Sequence, residues 1–144
     1  MTPRALDVST VQAKLRLMRD LVDDLSTAGE PDATRLREQR LLLRAIERVL
    51  TQLVDLSVAV NNHIVATTTG RAPTSYRESF SLAAEAGLID SGLAAALQQA
   101  VGMRNLLVHD YVAIDVHRVA SAIPLAREQF DRYIHDVATW ISDQ

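Results

Sequence analysis

Residues 32–67, DATRLREQRLLLRAIERVLTQLVDLSVAVNNHIVAT, decide the architecture. Leu36, Leu43, Ile46, Leu50, Leu53, Val60 and Ile64 recur at helical steps and form one apolar stripe, while Leu42, Val49 and Leu56 form a second. One stripe needs one neighbour; two stripes need neighbours on two sides. The segment therefore predicts a long central helix, polar at its start and increasingly buried towards its end.

The flanking sequence supplies the partners. Val8, Val11, Leu15, Met18, Val22 and Leu25 are three and four apart with charged residues between them, which predicts an amphipathic first helix ended by Gly29-Glu30-Pro31. Beyond the central helix, Thr67 to Pro73 reads as a loop. Ser75 and Glu78 have the spacing of a reciprocal capping box and start a short helix through Phe80, Leu82 and Ala83, with Gly87 as its stop. Asp90 or Ser91 opens an Ala- and Leu-rich helix towards Leu107, and Asp115 opens a last one through Trp140, with a kink expected at Pro124. No stretch alternates as a strand does. The prediction is all-α: an antiparallel bundle of about five helices forming one domain over residues 1–144.

Composition narrows the function. The chain has 144 residues, 48% hydrophobic and 23% charged, the balance of a globular protein. Fifteen basic against eighteen acidic residues leave a net charge of −3, which excludes nucleic-acid coating by bulk positive charge, so any such contact must be local. The absence of cysteine excludes disulfide scaffolds, Cys-ligated metals and thiol nucleophiles. Met1 to Asp7 lacks the apolar core of a signal peptide and no stretch reads as a membrane span, so a cytoplasmic protein without a membrane partner is expected. The glycines fit no phosphate-binding loop, and no metal-ligand motif or Gly-x-Ser-x-Gly elbow is present.

The chemistry-bearing segment is Arg104-Asn105-Leu106-Leu107-Val108-His109-Asp110-Tyr111. An arginine fork holds phosphate oxygens and stabilises developing negative charge, and a histidine exchanges protons near neutral pH. With RNA as substrate the 2′-hydroxyl supplies the nucleophile, so neither a metal nor a protein nucleophile is needed. On an uninterrupted helix, however, five residues place Arg104 and His109 about 140° apart. Cooperation requires either that the helix end or distort near Val108, or that a second copy face the first. The same residue types also suit a buried arginine, a helix-ending histidine and a core tyrosine.

Arg104-Asn105-x-x-x-His109-x-Tyr111 resembles the Arg-x4-His-x-Tyr signature of HEPN-domain ribonucleases, specifically the HepT-like toxins of bacterial toxin–antitoxin pairs. Pro73 to Phe80, Leu82 and Glu85 to Ile89 also resemble the approach to the motif in that family. The resemblance implies a metal-independent endoribonuclease without cofactor, acting as a homodimer whose two motifs meet in one cleft. It implies Arg104 and His109 as catalytic residues with Asn105 and Tyr111 in support. It further implies an RNA substrate and a cognate nucleotidyltransferase antitoxin of the MntA type that AMPylates Tyr111. The competing expectation is a non-catalytic helical nucleotide-binding or interaction module that partners a nucleotidyltransferase.

Other residues read less sharply. Arg37, Arg40, Arg44 and Arg48 make a basic stripe, diluted by Glu38 and Glu47, that suits a solvated face or an RNA or acidic partner. Asn61, Asn62 and His63 interrupt the apolar pattern and suggest a hydrogen-bonded cluster or cleft-lining residues. His117 and His135 are expected to be exposed or to act as local caps. Tyr76, Phe80, Phe130, Tyr133 and Trp140 read as core.

Overall fold

A computed structural model describes residues 5–109 and 114–144. Among them are six helices and no strand: α1 (Val8–Ala28), α2 (Ala33–Glu38), α3 (Arg40–Thr69), α4 (Tyr76–Glu85), α5 (Ser91–His109) and α6 (Val116–Ser142). The all-α expectation holds, with one helix more than about five. The extra helix comes from a break at Gln39, whose backbone (φ −108°, ψ 78°) leaves the helical region. From Arg37 to Arg40 four consecutive polar residues give that segment nothing to bury. Leu36, fully buried, turns α2 onto α6, while Leu41 just beyond the break stays 86% exposed.

Helix α3 touches every other helix of the bundle. Ile46, Leu50, Leu53, Val54, Val58, Val60, Ile64 and Val65 are all buried, as the two-stripe pattern requires. Its 30-residue length and an 18-residue window of mean hydropathy 1.2 meet the criteria of a membrane span; half of that window is buried inside the fold, as in a core helix. The helix continues to Thr69, past the expected loop start at Thr67. The hydroxyls of Thr67 and Thr68 donate to the Ile64 carbonyl and that of Thr69 to Val65, satisfying three polar side chains within the helix. Gly70, at φ 73°, then closes it.

Caps fall where the sequence put them. The Ser75 hydroxyl accepts from the Glu78 amide, but the expected box is not reciprocal: the Glu78 carboxylate takes the Thr74 hydroxyl at 2.5 Å in place of the Ser75 amide. The Asp90 carboxylate accepts from the Leu93 amide, so Asp90 rather than Ser91 caps α5. The Asp115 carboxylate accepts from the His117 amide. Gly87, at φ 86°, reverses the chain after α4 as the Leu88 amide bonds back to the Ala83 carbonyl. Pro124 lies within α6, which runs through it as one helix with the proline on its exposed side.

Asn61 belongs to a structural cluster at the centre of the bundle. The Tyr133 hydroxyl donates to Asn61 Oδ1 at 2.6 Å and lies 3.0 Å from the Ser57 carbonyl, and Asn61 Nδ2 donates to Ser79 Oγ at 3.3 Å. Asn61, Ser57, Ser79 and Tyr133 are fully buried, so one network ties α3, α4 and α6 in a single register. Burial pushes the Tyr133 phenol well above its ordinary value, keeping it a neutral donor. His63 Nε2 accepts from the Asp7 amide at 2.9 Å and pins the start of α1 to α3. Hydrogen bonds from Thr10 and Ser9, with a smaller contribution from His63, hold the Asp7 carboxyl at about 2.

Tyr133→Phe keeps the ring but leaves Asn61 Oδ1 buried without its donor. Its cost is expected to be about 2 kcal/mol, from one lost hydrogen bond plus an unsatisfied acceptor. Urea unfolding measures it, and a loss below about 0.5 kcal/mol would mean that the network does not carry the register.

Candidate active site

The motif arginine is set by the helix that bears it. Leu93, Leu97, Val101 and Leu107 put one face of α5 into the core, and Arg104 sits at the border of that face. Its stem therefore runs over buried surface and its head reaches across to α3 and α4. There Nε donates to Asp55 Oδ1 at 2.9 Å, and the guanidinium lies 4.7 Å from the centre of the Tyr76 ring. Only 18% of the Arg104 side chain is exposed, against 38% for Asp55. Desolvation raises the Tyr76 phenol pKa, the Asp55 charge adds to this and Arg104 opposes it.

Bonding through Nε has a chemical consequence. A guanidinium has two edges with paired donors, and Asp55 occupies the Nε side. Among the described residues, the one acceptor at the pair of Nη nitrogens is Asn105 Oδ1, 3.4 Å from Nη1, which leaves that edge for a further anion. Two Nη donors side by side match two phosphate oxygens.

Helix α5 stays helical through His109, its last described residue, so within one chain Arg104 and His109 do remain about 140° apart. Arg104 is part-buried at the α3–α4 junction, and His109 is exposed at the helix end. Neither a distortion nor a break near Val108 brings them together. Asn105 is exposed beside Arg104. Tyr111, the remaining residue of the motif, lies outside the described residues.

Arg104 also lines one wall of a groove of about 440 Å³ between α3, α5 and α6. Leu50, Val54, Ala100, Met103 and Leu125 give it an apolar surface, with Leu125 54% exposed. Its polar lining among the described residues consists of Gln99, Arg104, His117, Arg118, Ser121 and Gln129, with no carboxylate. Arg37 of α2 approaches from the side, its Nη2 3.1 Å from His117 Nε2. This detaches Arg37 from the expected stripe. Arg40, Arg44 and Arg48 remain exposed along α3, and Arg44 lies 3.7 Å from Glu47. Burial raises the Glu47 carboxyl pKa, against the opposing pull of Arg44.

Two residues at the site escaped the sequence reading. Tyr76 was expected in the core but is only part-buried and carries the arginine on its ring; Phe80, Phe130 and Tyr133 are buried as expected. Asp55 was not singled out, although it is the only Asp, Glu, Lys or Arg between Arg48 and Arg71. A solitary carboxylate in so apolar a stretch signals a partner from another helix.

Residues 14–137 match the family model described as Ribonuclease HepT-like. The chain is 28% identical over 103 residues to an mRNA nuclease HepT of Shewanella oneidensis, covering 72% of this chain and 77% of that protein. It is 29% identical over 105 residues to a tRNA nuclease HepT of Aphanizomenon flos-aquae, covering 72% and 69%. Its fold matches that of the tri-AMPylated Shewanella oneidensis HEPN toxin, solved in complex with MNT antitoxin. The TM-score is 0.81 at 23% identity, covering 90% of this chain and 96% of that one. A cytosolic protein of unknown function from Bacillus subtilis, YutE, has the same fold at a TM-score of 0.83 and 14% identity, covering 96% and 92%. Helical bundle, motif helix and a family match spanning most of the sequence agree, and the chain belongs to the Ribonuclease HepT-like family.

Proposed function

We propose that the protein is a metal-independent endoribonuclease toxin, cytoplasmic and active as a homodimer, with Arg104 and His109 as its catalytic residues. The observation that carries this reading is the state of Arg104: part-buried and held through Nε, beside a groove whose described lining holds no carboxylate. The two HepT relatives, one an mRNA nuclease and the other a tRNA nuclease, support RNA as the substrate class.

The chemistry follows from these groups. The 2′-hydroxyl attacks the adjacent phosphorus, forming a 2′-O–P bond as the P–O5′ bond breaks. One proton leaves the 2′-oxygen and one must reach the departing 5′-oxygen. Arg104 holds the nonbridging oxygens as charge accumulates on them, and His109 exchanges a proton with the reacting oxygens. Because the two lie about 140° apart on one helix, the His109 that works with a given Arg104 comes from the second protomer. Asn105, exposed beside the arginine, contacts the phosphate or ribose.

The proposed partner is an MntA-type nucleotidyltransferase antitoxin, and the modified residue is Tyr111. The AMPylated HEPN toxin bound to MNT antitoxin supports this regulation. Each transferred AMP carries a phosphodiester anion, which competes with RNA for the Arg104 fork and fills space near it.

Purified protein freed of antitoxin is expected to cleave cellular RNA in the presence of chelator. Arg104→Ala and His109→Ala each lose about 10²-fold or more while remaining folded. Undiminished cleavage by either variant removes that residue from the site, and no cleavage by the unmodified wild-type dimer favours the non-catalytic interaction module.

Mixing the two inactive variants tests the shared site directly. A dimer of one Arg104→Ala and one His109→Ala protomer retains one intact pair across the interface, so a randomised equimolar mixture should recover roughly a quarter of wild-type activity. A pair working within one chain recovers none.

With the antitoxin and ATP, mass spectrometry should find whole AMP units on the peptide containing Tyr111, together with loss of RNA cleavage. Tyr111→Phe should acquire no AMP; label persisting on that variant would place the modification elsewhere.

A further inference from the structure

We infer that Asp55 and Tyr76 are positioning residues that hold the Arg104 guanidinium with its two Nη nitrogens presented to the RNA phosphate. The inference deepens the ribonuclease reading and rests on it for its catalytic consequence.

Three helices meet at this point. Asp55 comes from α3, Tyr76 opens α4 and Arg104 lies on α5. The carboxylate fixes the guanidinium at Nε, 2.9 Å away, and the ring fixes it face-on at 4.7 Å. An edge contact and a face contact together determine both the position of the planar group and the direction in which its free edge points. Either alone leaves a rotation. A free arginine samples many rotamers, and a fork that must be found and aligned at each turnover stabilises the transition state less than one already aligned.

The anchor is itself anchored. Tyr76 directly follows Ser75, whose hydroxyl caps α4. The same short helix contributes Ser79 to the buried Asn61 network. Asp55 is two residues from Ser57, whose carbonyl faces the Tyr133 hydroxyl. The clamp therefore stands beside the buried hydrogen-bond network that ties α3, α4 and α6 together. Its composition also limits the charge of Arg104: one carboxylate offsets part of the cation before RNA arrives, trading general affinity for orientation.

The test compares Asp55→Ala, Asp55→Asn, Tyr76→Leu and Tyr76→Phe with wild type, each alone and combined with Arg104→Ala. Two readouts are used: chelator-resistant RNA cleavage, separated into kcat and KM, and the NMR signal of the Arg104 Nε–H group, assigned by its loss in Arg104→Ala. Asp55→Ala and Tyr76→Leu should each lower kcat by about tenfold to a hundredfold, with a smaller change in KM. Asp55→Asn keeps an oxygen for Nε and Tyr76→Phe keeps the ring face, so both should restore most of that loss. In the Arg104→Ala background all four should add nothing further. The Nε–H signal should shift in Asp55→Ala and return towards its wild-type position in Asp55→Asn.

An Nε–H signal unmoved by Asp55→Ala overturns the clamp whatever the activity. A further loss from Asp55→Ala on top of Arg104→Ala overturns it too, because the carboxylate would then act other than through the arginine. A rise in kcat for Asp55→Asn identifies the ion pair as a restraint that must open, the opposite role. Should wild type cleave no RNA, the ribonuclease reading fails by itself, and the NMR comparison still decides whether the clamp exists.

Discussion

Burying two faces of a single helix is the constraint on which this molecule is built. Helix α3 cannot satisfy both apolar stripes with one neighbour, so the chain wraps it with α1 and α6 on one side and α4 and α5 on the other. A helix enclosed in this way has few positions for polar groups, and each must find a partner from another element. Asn61 finds Tyr133 and Ser79, His63 finds the Asp7 backbone, and Asp55 finds Arg104. The first two secure the bundle. The third, nearer the surface, sets the geometry of the motif arginine.

What could be read in advance follows from how locally each feature is encoded. Helix identity depends on apolar period and caps within a few residues, so α1, α3, α4, α5 and α6 and the caps at Ser75, Asp90 and Asp115 were legible. The break at Gln39 was not, because its cause is tertiary: Leu36 docks on α6, and only that contact turns four polar residues into a joint. The threonines at the end of α3 misled for a related reason. Thr-Thr-Thr before a glycine looks like a loop until back-bonding to Ile64 and Val65 is taken into account. At the site, Arg104 and His109 were identified as a pattern in one segment, whereas Asp55 and Tyr76 lie 49 and 28 residues before Arg104 and are joined to it only by the packing of α3, α4 and α5. The solitary charge at Asp55 was visible, but its partner was not.

A net charge of −3 gives no bulk attraction for a polyanion, and the relevant quantity is the local field. Among the described residues no carboxylate lines the groove, where Arg104 and Arg118 stand with His117, and Arg37 reaches His117 from the α2 turn. Elsewhere the surface cations are partly paired: Arg19 with Asp131, Arg71 with Glu85, Arg132 with Asp90. Exposed pairs such as these add little stability, but they do leave less unopposed positive charge away from the site. Positive charge is thereby concentrated rather than abundant.

The angle on α5 explains why such a site should need two copies. An arginine that must be aligned to a few tenths of an ångström benefits from a buried border position with fixed neighbours, which α5 provides at 104. A histidine that must exchange protons with substrate benefits from an exposed helix end, which α5 provides at 109. Meeting both requirements on one regular helix puts the groups on different faces, and bending the helix to reunite them would disturb the core contacts of Val101 and Leu107 that hold Arg104 in place. Symmetry removes the conflict without that strain. In the proposed homodimer a second protomer would bring an equally exposed histidine to the first protomer's arginine without bending either helix, and the same operation would generate a second identical pair. Activity in the proposed arrangement would depend on assembly of the two chains.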